Sequence, residues 1–106
     1  MSKYLVNASY TSEGTRGLLK EGGTSRQLMV KDMVEKLGGS LEFFYYSFGE
    51  SDVVAIVDVP DAATATAISM GIKATGAVKI YLTVLITPEE IDKAAKKSIG
   101  YRAPGG

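Results

Sequence analysis

The stretch Leu41 to Val59, LEFFYYSFGESDVVAIVDV, decides the fold. Two β-prone runs flank a tight turn, Gly49-Glu50-Ser51-Asp52, built from residues that hairpin connections favour. Gly49 is expected to supply a positive φ or a bulge, and Glu50 to be solvated. Nearly every position on both sides of the turn is apolar or aromatic. Successive strand side chains point to opposite faces, so a run without polar alternation has two faces that both want cover. Either parity carries aromatics, Phe43 with Tyr45 or Phe44 with Tyr46 and Phe48, so the pattern leaves open which of them faces the core.

Downstream, Pro60 breaks the second strand and Asp61 is a good N-cap for an alanine-rich helix, Ala62 to Thr75, closed by Gly76. Ala77 to Ile86 forms a last long strand with Val78, Ile80, Leu82 and Val84 on one face. Thr87-Pro88-Glu89-Glu90 opens another helix with a cap, a first-position proline and acids in the first turn; it is expected to end near Lys97. Ser98 to Gly106 forms a tail, expected to be flexible unless a neighbour holds it. Upstream, Tyr4 to Tyr10 alternates as a strand, and Thr11-Ser12-Glu13-Gly14 offers a turn and a helix cap. A short helix over Thr15 to Glu21 is interrupted by Gly22-Gly23. A longer one follows from Thr24 to Leu37, with Leu28, Met29, Met33, Val34 and Leu37 at spacings of three and four, and Gly38-Gly39 ends it as a left-handed cap.

The order β-α-β-β-α-β plus a terminal helix fits a ferredoxin-like, split βαβ α+β unit: a four-stranded antiparallel sheet with both main helices on one face. One domain over residues 1–97 and a tail over 98–106 are expected. Val6, Ala8, Val78, Ile80 and Leu82 belong to the core face. Leu5, Asn7, Ser9, Lys79, Tyr81 and Thr83 belong to the open one, together with one parity of the hairpin. At roughly 25 cal/mol per Å² of apolar area, covering several aromatic rings is worth several kcal/mol. A second copy packed sheet to sheet is the simplest cover, so a homodimer or larger homo-oligomer is expected. The small residues around helix 62–74 point weakly to contacts beyond a dimer.

At 106 residues the chain is one domain, and its 45% apolar share rules against disorder. Twelve basic and twelve acidic residues cancel, which argues against nucleic acid as a partner despite the aromatic run Phe44 to Phe48. Without cysteine there is no disulfide or thiol chemistry, and without histidine the commonest general base and transition-metal ligand are missing. A Ser-His-Asp nucleophile is thereby excluded. No carboxylate spacing suggests a metal, and no cofactor is expected. No apolar run approaches about 18 residues, so no membrane partner is expected. The first residues pass into a strand at once, without signal-peptide character, so a cytoplasmic protein is expected.

Tyr4-Leu5-Val6, Tyr10-Thr11, Glu13-Gly14, the run Gly17 to Gly23, Leu37-Gly38-Gly39, the run Phe48 to Val54, Pro60-Asp61 and Gly76-Ala77-Val78 together resemble the GYD-domain family of small bacterial proteins. The likeness covers most of the chain. It implies a dimeric α+β barrel, in agreement with the element order, and little chemistry. The family is named for Gly, Tyr and Asp near the turn; here Ser51 stands at the Tyr position, so any chemical role of that Tyr is missing.

The candidate ligand-binding residues are Asn7, Ser9, Tyr46, Asp52, Lys79 and Tyr81. On the open face, beside Ser9 and Thr83, Asn7 and Tyr81 could hydrogen-bond a small carbonyl or phenolic ligand, and Lys79 could stabilise an anion. The plainer reading of this group is a dimer interface whose polar groups satisfy one another. Asp52 could act as a base or hold a cation at a cavity mouth, but Asp beside a turn more often fixes the hairpin by accepting from nearby amides. Gly22-Gly23-Thr24-Ser25-Arg26, with Arg16 or Lys20, could hold a phosphate at a helix start; a helix break capped by Thr or Ser is the plainer account. Met29, Met33 and Met70 read as core fillers. Three functions stay open: a module binding a small, partly apolar or anionic molecule at the sheet face, a cofactor-independent oxygenase- or isomerase-like enzyme, and a purely structural assembly subunit.

Overall fold

A computed structural model describes residues 2–106. Its sheet is built from β1 (Ser2–Tyr10), β2 (Ser40–Tyr46), β3 (Val53–Val59) and β4 (Val78–Leu85) in the order β2-β3-β1-β4, every neighbour antiparallel. The β-branched run of β3 takes a central place, where stiff, branched side chains pack well on a pleated surface. Val53, Ala55, Val57 and Val59 are buried on one face, while Val54, Ile56 and Asp58 are half-buried on the other. The chain is thus an α+β protein of ferredoxin-like type, as its element order predicts.

The hairpin's parity is set by a β-bulge. Leu41 pairs with Val57, but Phe43 pairs with Ile56, Phe44 with Ala55 and Tyr46 with Val53, so one extra residue lies between Leu41 and Phe43. An extra residue re-aims every side chain beyond it. Leu41, Phe44 and Tyr46 therefore pack against the core, while Phe43 and Tyr45 stand on the open face, their rings 4.7 Å apart. Glu42, at the irregularity, pairs with Lys3 of β1 across the intervening β3. The turn differs from the sequence reading in one respect: the left-handed residue is Phe48, at φ 50°, and Gly49 has no positive φ. Phe48 stacks on Tyr46, with centroids 6.1 Å apart and planes 11° off parallel, an aromatic contact that offsets part of the strain.

Helices α1 (Ser12–Glu21), α2 (Gly23–Lys36) and α3 (Ala62–Lys73) lie on the side of the sheet that carries Val6, Ala8, Ala55 and Ile80. Helix α1 begins three residues earlier than expected, because Thr11 is its N-cap and accepts from Gly14 N at 3.3 Å. Helix α2 has Gly22, at φ 89°, as its N-cap with no side-chain bond; Thr24 and Ser25 lie within the helix and do not cap it, which corrects the capped-break reading. At its far end Gly38, at φ 86°, allows Gly38 N to donate to Glu35 O and Gly39 N to Val34 O, both at 3.0 Å, a Schellman closure. Gly39 must be glycine for a second reason: a Cβ there would lie 2.3 Å from the carbonyl oxygen of Asp58. Asp61 caps α3 through Thr64 N at 2.8 Å. Val34 and Val59, essentially inaccessible, mark the centre of the core between α2 and β3.

The fourth helix, α4 (Pro88–Ala95), stands apart. Thr87 and Glu90 form the expected capping box, and the helix ends two residues short of Lys97. It has no buried residue and no substantial packing against any other element. The consequence is visible in the dimensions: the Cα radius of gyration is 17.1 Å, against about 13 Å for a compact domain of this length.

Candidate functional site

The open face of the sheet gathers part of the expected cluster. Asn7 lies opposite Tyr81, and Ser9 opposite Lys79, across the β1–β4 ladder. Asn7, Ser9, Ser51 and Tyr81 border a shallow hollow of about 560 Å³, and Ser51 Oγ donates to Asn7 Oδ1 at 3.2 Å. Lys79 flanks this hollow on the side of a smaller one that it shares with Thr11 and Tyr81. Around the polar group the face is apolar: Leu5, Val54, Ile56, Phe43 and Tyr45 all lie on it, and Tyr45 and Tyr81 are about two-thirds exposed.

Asp52 has the structural duty weighed for it. Its Oδ2 accepts from Tyr10 N at 2.8 Å, and its own amide donates to Ala8 O at 2.8 Å, so it ties the hairpin turn to the end of β1. A carboxylate accepting a backbone N–H is a strong, charge-assisted bond.

Tyr46 lies on the other face, away from Asn7, Ser9, Lys79 and Tyr81. Its hydroxyl donates to Gly23 O at 3.0 Å, and Gly23 is compact enough that a Cβ there would sit 3.0 Å from the Tyr46 ring. Burial, and next the neighbouring Tyr10, push the Tyr46 phenol up to about 12. It is therefore a proton-bearing hydrogen-bond donor at any ordinary pH.

Tyr10 and Arg26, which neighbour the Tyr46 hydroxyl, lead into a hollow on the helix side. Between sheet and helices lies a cavity of about 100 Å³ whose lining is apolar (Val6, Ala8, Val30, Ala55, Ile68, Ile80) apart from Tyr10 and Arg26. Over it opens a cleft of about 640 Å³ between α1–α2 and α3, which shares Tyr10, Arg26, Met29, Met33 and Ile72 with the cavity. Arg26 pairs only loosely with Glu21, at 3.7 Å, so its guanidinium retains donors for a further acceptor. Glu21 also accepts from Ser25 Oγ at 3.3 Å; a carboxylate placed there disfavours the phosphate reading of this helix start. Glu13 and Glu21 form an acidic rim, and Gly17 and Gly71 line the cleft with open space: a Cβ at either would meet nothing within 4 Å.

The sequence reading placed Arg26 only beside a phosphate and Met29 and Met33 only in the core, and it did not single out Tyr10. The parity of β1 carried a usable signal, since Tyr10 follows Val6 and Ala8 on the helix side and ends the strand where that layer opens. Among the described residues no group of three or more acidic side chains is placed to hold a metal ion, and no helix is long and apolar enough to cross a membrane.

No curated protein and no solved structure matches the chain. A family model described as GYD domain matches residues 4–95, which takes in β1 from Tyr4 onward, the other three strands, all four helices, the open-face cluster and the cleft. With the ferredoxin-like architecture and a match over most of its 106 residues, the chain belongs to the GYD-domain family.

Proposed function

We propose that the protein is a small-molecule-binding module that works as a homo-oligomer, its subunits paired through the open face of the sheet. The observation that carries the binding is the apolar cavity beneath the cleft, with Tyr10 and Arg26 as its polar groups. An apolar pocket of several hundred Å³ with a few convergent polar groups is the usual form of a small-molecule site. The ligand class is a compact apolar body with one anionic or hydrogen-bond-accepting group turned toward Arg26. Binding is favoured over catalysis because Tyr46, the strongly shifted group beside Tyr10 and Arg26, is moved away from neutral pH, where a general acid or base is needed.

Pairing is supported by area. The lone subunit exposes 7317 Å², whereas a compact monomer of this mass exposes about 5,700 Å². The excess of about 1,600 Å² per subunit is at the scale of a stable interface, which covers about 800 Å² or more of each partner.

A thermal-shift series with small aromatic and aliphatic carboxylates, quinones and inorganic phosphate tests the binding. Stabilisation by an apolar carboxylate, lost in Arg26→Gln, is expected; a series without any stabilising member, or equal stabilisation of the variant, refutes it. A second reading places the ligand in the open-face hollow, favoured by the convergence of Asn7, Ser9 and Tyr81 beside Lys79. There, Asn7→Ala and Lys79→Ala abolish binding and Arg26→Gln does not; unchanged affinity in the first two rejects it.

A further inference from the structure

We infer that the C-terminal arm, residues 86–101, docks in the helix-side cleft of a second copy of the chain, which closes the cleft over the cavity. This rests on the self-association proposed above, but not on the ligand. Helix α4 is eight residues long, and isolated helices shorter than about 12–15 residues are marginal in water. Its stability has to come from packing, and none of its residues is buried against its own chain. Nor is it polar all round. Pro88, Ile91, Ala94 and Ala95 fall at spacings of three and four, on one face of the helix, and the apolar Ile99 and Tyr101 follow in the non-helical segment after it. Ile91 is 53% exposed, Ile99 83% and Tyr101 71%. An apolar stripe held off its own domain is the mark of an element whose partner surface lies on another molecule.

The cleft answers that stripe in chemistry, length and shape. Its floor is apolar (Met29, Met33, Ile68, Ile72), and its rim carries Glu13 and Glu21. Within the arm the acids Glu89, Glu90 and Asp92 come first and Lys93, Lys96 and Lys97 follow, so it is neutral as a whole and only its C-terminal half is the basic end that this acidic rim can face. From Ala67 to the end of α3 at Lys73 the wall runs about 10 Å, against about 12 Å for α4, at about 1.5 Å per residue. Gly17 and Gly71 leave that width unfilled, and Ala94 and Ala95 present small side chains that allow close approach. The excess accessible area is shared between the two features, because a projecting arm and an open sheet face together expose more than a compact monomer can.

The chain's lack of cysteine makes the test direct. Ile91→Cys and Gly71→Cys are prepared as separate single variants with different tags, mixed, equilibrated and oxidised; Glu50→Cys, at the hairpin turn, replaces Gly71→Cys as the control. The variant sites are exposed, and a side chain at residue 71 meets no neighbour. A disulfide between differently tagged chains, at least ten-fold more abundant with Gly71→Cys than with Glu50→Cys, is expected. Light scattering on the same samples separates the failures. Dimers without the cross-link overturn the arm placement and leave the sheet pairing intact. Monomers overturn both.

Discussion

Replacing Ile56 by lysine tests the sheet pairing at its centre. Ile56 lies on β3 between Leu5 of β1 and Phe43 of β2, on the open face. In a lone subunit it is only half-buried, so a lysine there can lay its stem along Leu5 and Phe43 and keep its ammonium in water. In a sheet-to-sheet pair the same position is desolvated. Each copy then forfeits about 2 kcal/mol of apolar burial, and two ammonium groups face one another without partners. The loss is at least about 4 kcal/mol per dimer before desolvation is counted, a weakening of roughly a thousand-fold or more that turns a nanomolar dimer into a micromolar one. Sedimentation or light scattering over a dilution series reads this directly, with far-ultraviolet circular dichroism as the check that the subunit is folded. Tyr81→Lys, at a side chain already about two-thirds exposed, is the companion that leaves the core untouched. The reasoning is refuted if both variants associate as the wild type does. It is equally refuted if wild-type protein runs as a folded 11.2 kDa subunit at every concentration.

Other outcomes follow from single contacts. Asp52→Ala removes the acceptor of Tyr10 N, leaving a half-buried amide unpaired; a loss of about 1–3 kcal/mol in denaturant titration is expected, and Asp52→Asn loses less. Gly39→Ala puts a methyl 2.3 Å from the Asp58 carbonyl and lowers stability by about 1–3 kcal/mol, since the obstruction is backbone. Gly71→Ala, in a helix interior with open space around the new Cβ, raises stability by up to about 1 kcal/mol. Tyr46 should ionise well after an ordinary phenol. Because its folded value is raised above that of the unfolded chain, its contribution is whole below about pH 10 and declines as pH rises toward about 12. Absorbance titration of tyrosinate, with Tyr46→Phe lacking the late component, checks the direction.

The alternation of Tyr4 to Tyr10, the caps at Thr11, Asp61 and Thr87, and the glycines at 38 and 76 were legible in the sequence because each is a local rule of backbone geometry or capping. The sheet order follows from the element order for the same reason. The candidate site was half legible. Asn7, Ser9 and Tyr81 share a face because strand parity and antiparallel pairing bring them there, while Tyr46 does not join them.

The pattern of residues alone determined that this chain forms one α+β layer pair with more apolar sheet than its own helices cover, because side-chain periodicity and turn chemistry act over a few neighbours. Only the tertiary structure decided that a bulge at Glu42 sends Phe43 and Tyr45 outward and Tyr46 inward. Only it placed a cavity between Arg26 and Tyr10, and held Ile91 away from its own domain. Those outcomes depend on a one-residue register shift and on how helices settle over a sheet, and neither leaves a mark in local periodicity.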